Sequence, residues 1–83
     1  MKVIYFARVR EQLGVDEETL TCPAEVSTLA ELIDWLVAER GADWGKVLQA
    51  PDLICALNQE VVDRQVRITD EDEVAFFPPV TGG

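Results

Sequence analysis

Apolar and polar residues alternate from the first positions of the chain. In "KVIYFAR" (2–8), Val3, Tyr5 and Ala7 fall on one face of an extended strand, and Lys2, Ile4 and Phe6 on the other. The next seven residues, "VREQLGV", break the alternation and predict a turn or a single helical turn ending near Gly14. "EETLTC" (17–22) alternates weakly and predicts a second strand, close enough to the first to form an antiparallel hairpin with it.

The period then changes. Leu29, Leu32, Ile33, Leu36 and Val37 recur at the spacing of a single helical stripe. Thr28 followed three positions later by Glu31 is a capping box that marks the start of this helix. Gly41 suits its end, with Arg40 favourable to the helix dipole just before it. Trp35 lies off the stripe, as a flank residue or packed under the next loop. Residues 42–52 read as a connector with a short helix begun by Asp43. "LICALN" (53–58) is a short apolar strand, Asn58-Gln59 a tight turn and "EVV" (60–62) a further strand. An acidic turn within "RQVRITDEDE" leads to the last strand, "EVAFFP" (73–78).

A hairpin, one long amphipathic helix and three more strands make an α+β domain, with the helix covering one face of a mixed sheet of four to five strands. The first and last strands are the most apolar. They fit the middle of the sheet, parallel to each other through a long crossover. That is a β-grasp arrangement, as in ubiquitin. The order it gives is second hairpin strand, first strand, C-terminal strand, then "LICALN". Cys22 and Cys55 then lie on non-neighbouring strands, which argues against a disulfide; both read as buried free thiols. The domain spans 1–78, and 79–83 is an extended tail.

Alternation also divides the last strand. Val74 and Phe76 face the helix, and Ala75 and Phe77 the open side. With the first and last strands as neighbours, Phe6 and Phe77 stand together on an uncovered face, and Val61 extends the patch. An exposed aromatic cluster on a small domain points to a partner surface.

The tail, "PPVTGG", is chemically the most distinctive stretch. Pro78 and Pro79 fix φ and project the terminus away from the sheet, and they lower the entropy lost when it is ordered elsewhere. Val80, Thr81, Gly82 and Gly83 reach roughly 14 Å further at about 3.5 Å per residue. Gly82 and Gly83 lack a Cβ and fit a channel too narrow for other residues. The terminal carboxylate is open to activation by another protein.

Composition narrows the chemistry. At 83 residues a single domain is expected, too small for a large internal active site. Acidic residues number 16 against 7 basic ones, a net charge of −9. That surface repels nucleic acid and anionic lipid and suits a partner with a basic face. No segment reads as a membrane span or signal peptide, so a cytoplasmic location is expected. There is no histidine, and two cysteines cannot make a structural zinc site, so no metal is expected. The acidic "TDEDE" lacks calcium-loop spacing and reads as a solvated turn. Lys46 and Arg67 are candidates for salt bridges to a partner that nothing in the sequence ranks.

The chain resembles the small subunit of molybdopterin synthase, a ubiquitin-like sulfur carrier family. The resemblance runs through "VIYFARVRE", "ALNQEVV" and "DEDEVAFFPPVTGG". Its acidic turn, Asp70-Glu71-Asp72-Glu73, departs from the Asp-Gly-Asp-Glu often found there. The resemblance implies that an E1-like, ATP-dependent enzyme adenylates Gly83 and a sulfur donor converts it to a thiocarboxylate. It implies that the tail then enters the synthase large subunit and gives its sulfur to a cyclic pyranopterin. It also implies a heterotetramer of two large and two small subunits, with no cofactor bound by the carrier itself. A thiamine-pathway carrier, a modifier joined to target lysines and a plain interaction domain are the other readings of the same features.

Overall fold

In the computed structural model, which describes residues 1–79, eight elements follow one another. They are β1 (Lys2–Tyr5), α1 (Ala7–Leu13), β2 (Glu17–Thr19), α2 (Leu29–Arg40), α3 (Ala42–Leu48), β3 (Ile54–Leu57), β4 (Glu60–Val62) and β5 (Glu73–Phe77). The strands form one sheet in the order β2-β1-β5-β3-β4. β1 and β5 are central and parallel, with Val3 opposite Val74 and Tyr5 opposite Phe76. The other pairings are antiparallel. This is the expected α+β, β-grasp sheet, with β4 at the edge beyond β3.

One face of the sheet carries the core. Val3, Tyr5, Val74 and Phe76 are buried there, in one cluster with Leu29, Leu32, Ile33 and Leu36 of α2. Each such side chain contributes roughly 1.5–3 kcal/mol when taken from water. α2 begins where its sequence signals it. The Thr28 hydroxyl accepts from the Glu31 N–H, and the Glu31 carboxylate accepts from the Thr28 N–H at 3.0 Å. It ends at Gly41, whose φ of 106° lets the chain turn directly into α3. α3 packs closely on α2: a Cβ at Gly45 would lie 3.3 Å from the Val37 side chain.

The hairpin turn is built from left-handed residues. Asn58 and Gln59 have φ of 50° and 72°, the combination a two-residue turn between twisted strands requires. Asn58 also binds the acidic turn. Its amide donates to Asp72 Oδ1 at 2.9 Å, and its carbonyl oxygen accepts from the Glu73 N–H at 2.9 Å. The acidic turn is thus exposed, as expected, but its carboxylates are braces. Asp72 accepts from the Thr69 N–H at 2.7 Å, and Asp70 from the Cys22 N–H at 2.7 Å and the N-terminal ammonium at 3.4 Å.

Four local expectations need correction. The first strand stops at Tyr5 rather than Arg8, because Ala7 takes φ of 50° and the chain enters α1. Ala7 is exposed, not on the core face. The first two strands are antiparallel as expected, but α1 stands between them, so their connection is a helical crossover and not a tight hairpin. Cys55 is buried and Cys22 only half-buried; both are free thiols.

Candidate functional site

The second face of the sheet has no helix over it. Ile4, Phe6, Ala56, Val61, Ala75 and Phe77 line a shallow trough there of about 500 Å³. Ile4, Ala75 and Phe77 arrive by strand parity: Val3 and Tyr5 point into the core, so Ile4 points out, and Val74 and Phe76 do the same for Ala75 and Phe77. Phe6 is 44% exposed and Val61 72% exposed, the two large apolar residues left most open among the described residues. Phe6 and Phe77 meet edge to face, with ring centroids 6.2 Å apart.

Phe6 reaches this position by an unusual route. It follows the last residue of β1, yet its N–H still donates to the Phe76 carbonyl at 3.0 Å, extending the parallel ladder. Its own carbonyl accepts from the N–H groups of Val9 and Arg10, opening α1 with no side-chain cap. Phe6 is therefore held by backbone on both sides, which leaves its ring free to face outward. Ala7 carries the strain of the reversal.

Beneath this junction a polar network ties three elements together. The Tyr5 hydroxyl donates to Glu18 Oε2 at 2.7 Å, and Arg40 donates to both Glu18 oxygens at 2.7 and 3.2 Å. The Arg40 guanidinium lies 4.6 Å from the centre of the Trp44 ring, and Trp44 meets Tyr5 edge to face. Burial, with the hydrogen bond to Glu18, pushes the Tyr5 phenol far above its ordinary range. Burial opposes the Glu18 charge, but the bonds from Arg40 and Tyr5 outweigh it and hold that carboxyl below its ordinary value. This network is structural: it ties the end of β1, just before Phe6, to β2, α2 and α3.

At the end of the sheet a second, smaller concavity of about 210 Å³ lies between α1, α3 and the end of β5, with Pro78 and Pro79 among its walls. Both prolines are half-buried there, so they pack against the domain rather than standing clear of it. Arg8 and Lys46 reach this cleft from α1 and α3. Sequence reading missed it, because its walls are far apart in the chain and only the fold brings them together. Ala56, Gln59 and Glu73 of the open face were missed too; the alternation of "LICALN" was the signal for Ala56.

The structure thus brings Phe6, Phe77 and Val61 onto one surface. The other candidate residues, Val80, Thr81, Gly82 and Gly83, lie outside the described residues. Among the described residues, no group of three or more His, Cys, Asp or Glu is placed to hold a metal ion, and no helix is long and apolar enough to cross a membrane.

Comparison with known proteins gives consistent likenesses. The model of the ThiS family matches residues 3–83. The molybdopterin synthase sulfur carrier subunit of Escherichia coli K12 is 41% identical over 83 residues, covering 100% of this chain and 99% of that one. A protein of Pyrococcus furiosus assigned as molybdopterin converting factor, subunit 1, superposes with a TM-score of 0.73 at 32% identity, over 95% of each chain. A chain in the complex of subunits 1 and 2 of the Helicobacter pylori molybdopterin-converting factor shares the fold, with a TM-score of 0.64 at 22% identity over 99% and 96% of the two chains.

Proposed function

We propose that this chain, a member of the ThiS family, is the sulfur carrier subunit of a molybdopterin synthase. The single observation that carries this reading is the 41% identity to a sulfur carrier subunit over the whole chain.

The chemistry follows from the end of the chain. A carboxylate is a poor acyl donor, so an E1-like activating enzyme joins Gly83 to AMP, with release of pyrophosphate from ATP. Sulfur at the hydrosulfide level, supplied by the donor, then attacks the acyl carbon and AMP departs, leaving a thiocarboxylate. Tethered to a protein, that sulfur reaches its target at high effective concentration. The target is a cyclic pyranopterin held by the large subunit, and two transfers complete the dithiolene. A heterotetramer of two large and two small subunits fits that count. ATP belongs to the activating step, and the carrier binds no cofactor of its own. The work is cytoplasmic.

The carrier supplies delivery rather than acid–base catalysis, which suits a chain without histidine. Phe6, Phe77 and Val61 dock the domain on the large subunit. Val80, Thr81 and Gly82 line the insertion path, and Gly83 carries the sulfur. A net charge of −9 matches a partner whose contact surface is mainly basic.

Removal of Gly83 tests this reading. The shortened chain is expected to fold as the parent does and to support no dithiolene formation with the large subunit, activating enzyme, ATP and a sulfur source. Product formed at the parental rate would overturn it.

A further inference from the structure

The cleft beside the root of the tail reverses the charge of its surroundings. Three of the seven lysines and arginines of this acidic chain are engaged by other groups. Lys2 pairs with Glu17, Arg40 with Glu18, and Arg64 donates to the Ala50 carbonyl. Arg8 forms no ion pair among the described residues, and Lys46, on the surface, has only a largely solvated contact with Asp43 at 4.0 Å. Both reach the same cleft, whose apolar wall includes Val9 and whose one carboxylate is Asp52. Two cations therefore face one anion at the place where Pro78 and Pro79 lead out of the fold.

The volume, about 210 Å³, is below the roughly 300–1,000 Å³ of small-molecule sites. It has room for a side chain, not for a nucleotide. Pro78, in the wall of the cleft, directly follows Phe77 of the open face, so the cleft lies at the same end of β5 as that residue.

We propose that the cleft receives an acidic side chain of the tail-accepting large subunit, held between Arg8 and Lys46. This rests on the carrier reading above. The contact sets orientation: a mainly basic partner surface could meet an acidic domain in many ways, but an aspartate or glutamate at the channel mouth fits only where the sign reverses. Rim contacts of this kind act on docking register and association rate more than on total affinity.

The test compares charge-matched variants, Arg8→Glu, Lys46→Glu and Arg67→Glu, for binding of the large subunit by calorimetry at low and moderate salt. Arg67 is exposed, pairs through its backbone with Thr28 and takes no part in the cleft. Arg8→Glu and Lys46→Glu are each expected to weaken binding about five- to tenfold, an effect reduced by salt, while Arg67→Glu does not weaken it. Equal affinities for all three variants would overturn the proposal. Failure of the parent chain to bind at all would instead overturn the carrier reading. A carbodiimide that condenses an amine with a carboxylate, losing water, identifies the partner group. Lys46 joined to an aspartate or glutamate of the large subunit is expected, and Lys46 joined only to Asp43 or Asp52 would contradict it.

Discussion

Phe6 and Phe77 contact each other edge to face, with ring planes at 84°, on the sheet face that no helix covers. One ring comes from the end of a central strand and the other from the entry to α1, so the pair exists only because β1 and β5 run parallel and side by side. An aromatic pair of this geometry is worth about 0.5–1.5 kcal/mol beyond its burial. Left exposed in a small acidic domain, it is the anchor that the proposed docking on a large subunit would use.

Phe77→Asp is therefore expected to weaken binding of the large subunit by roughly 30-fold or more, the scale of a central aromatic anchor. Its far-ultraviolet circular dichroism should match the parent, because Phe77 lies outside the buried cluster. Unchanged affinity by calorimetry would place the docking surface elsewhere.

Ala7 bears the backbone cost of presenting Phe6. An alanine at φ of 50° is strained by about 1–2 kcal/mol, and its side chain is exposed, so packing does not compensate. Ala7→Gly is expected to raise stability by about 0.5–1 kcal/mol, and Ala7→Val to lower it by at least as much. Urea unfolding of the pair reads this directly. A glycine variant less stable than the valine variant would mean that Ala7 is not left-handed in solution.

The Tyr5–Glu18–Arg40 network is a second place where stability is concentrated. Glu18→Ala strands the hydroxyl of a tyrosine that is 1% exposed, at a cost of about 1–3 kcal/mol. Tyr5→Phe removes the donor but leaves Glu18 with Arg40, so about 1 kcal/mol is expected. For a chain of this size, each kcal/mol lowers Tm by roughly 4–8 °C. A larger loss from Tyr5→Phe than from Glu18→Ala would contradict this ranking.

Acid should unfold the protein through its braced carboxylates. Hydrogen bonds from backbone N–H groups of Ser27 and Thr28 lower the Glu31 pKa. Bonds from Cys22 lower that of Asp70, and bonds from Asn58 and Thr69 that of Asp72. Glu18 is lowered as well. Each group binds its proton more tightly in the unfolded chain. Their stabilisation is thus complete above the unfolded carboxyl value, about pH 4, and is lost as pH falls through the lower folded values. The urea midpoint is expected to be flat from about pH 7 to 5 and to fall steeply below about pH 4. A midpoint that rose on acidification would contradict the sign.

Much of this was legible in the sequence because local and global signals agreed. The Thr28–Glu31 box, the stripe from Leu29 to Leu36 and the parity of Val74 and Phe76 each specify a contact that the fold then uses. The early end of β1 was not legible. "KVIYFAR" keeps its alternation through Ala7, and a left-handed alanine leaves no trace in composition. The cleft of Arg8 and Lys46 was hidden for a different reason: it is a product of tertiary packing between α1, α3 and the end of β5. The acidic turn showed its exposure in sequence but not its hydrogen bonds, since Asp70 and Asp72 bind residues 48 and 14 positions away.

The central claim is that Gly83 carries sulfur. Its most direct test is the intact mass of the chain after incubation with the activating enzyme, ATP and a sulfur source, with fragmentation of the C-terminal peptide. A species heavier by the difference between sulfur and oxygen is expected, with the added mass on Gly83. A chain that remains unmodified at Gly83 while the activating enzyme charges another carrier under the same conditions would contradict it.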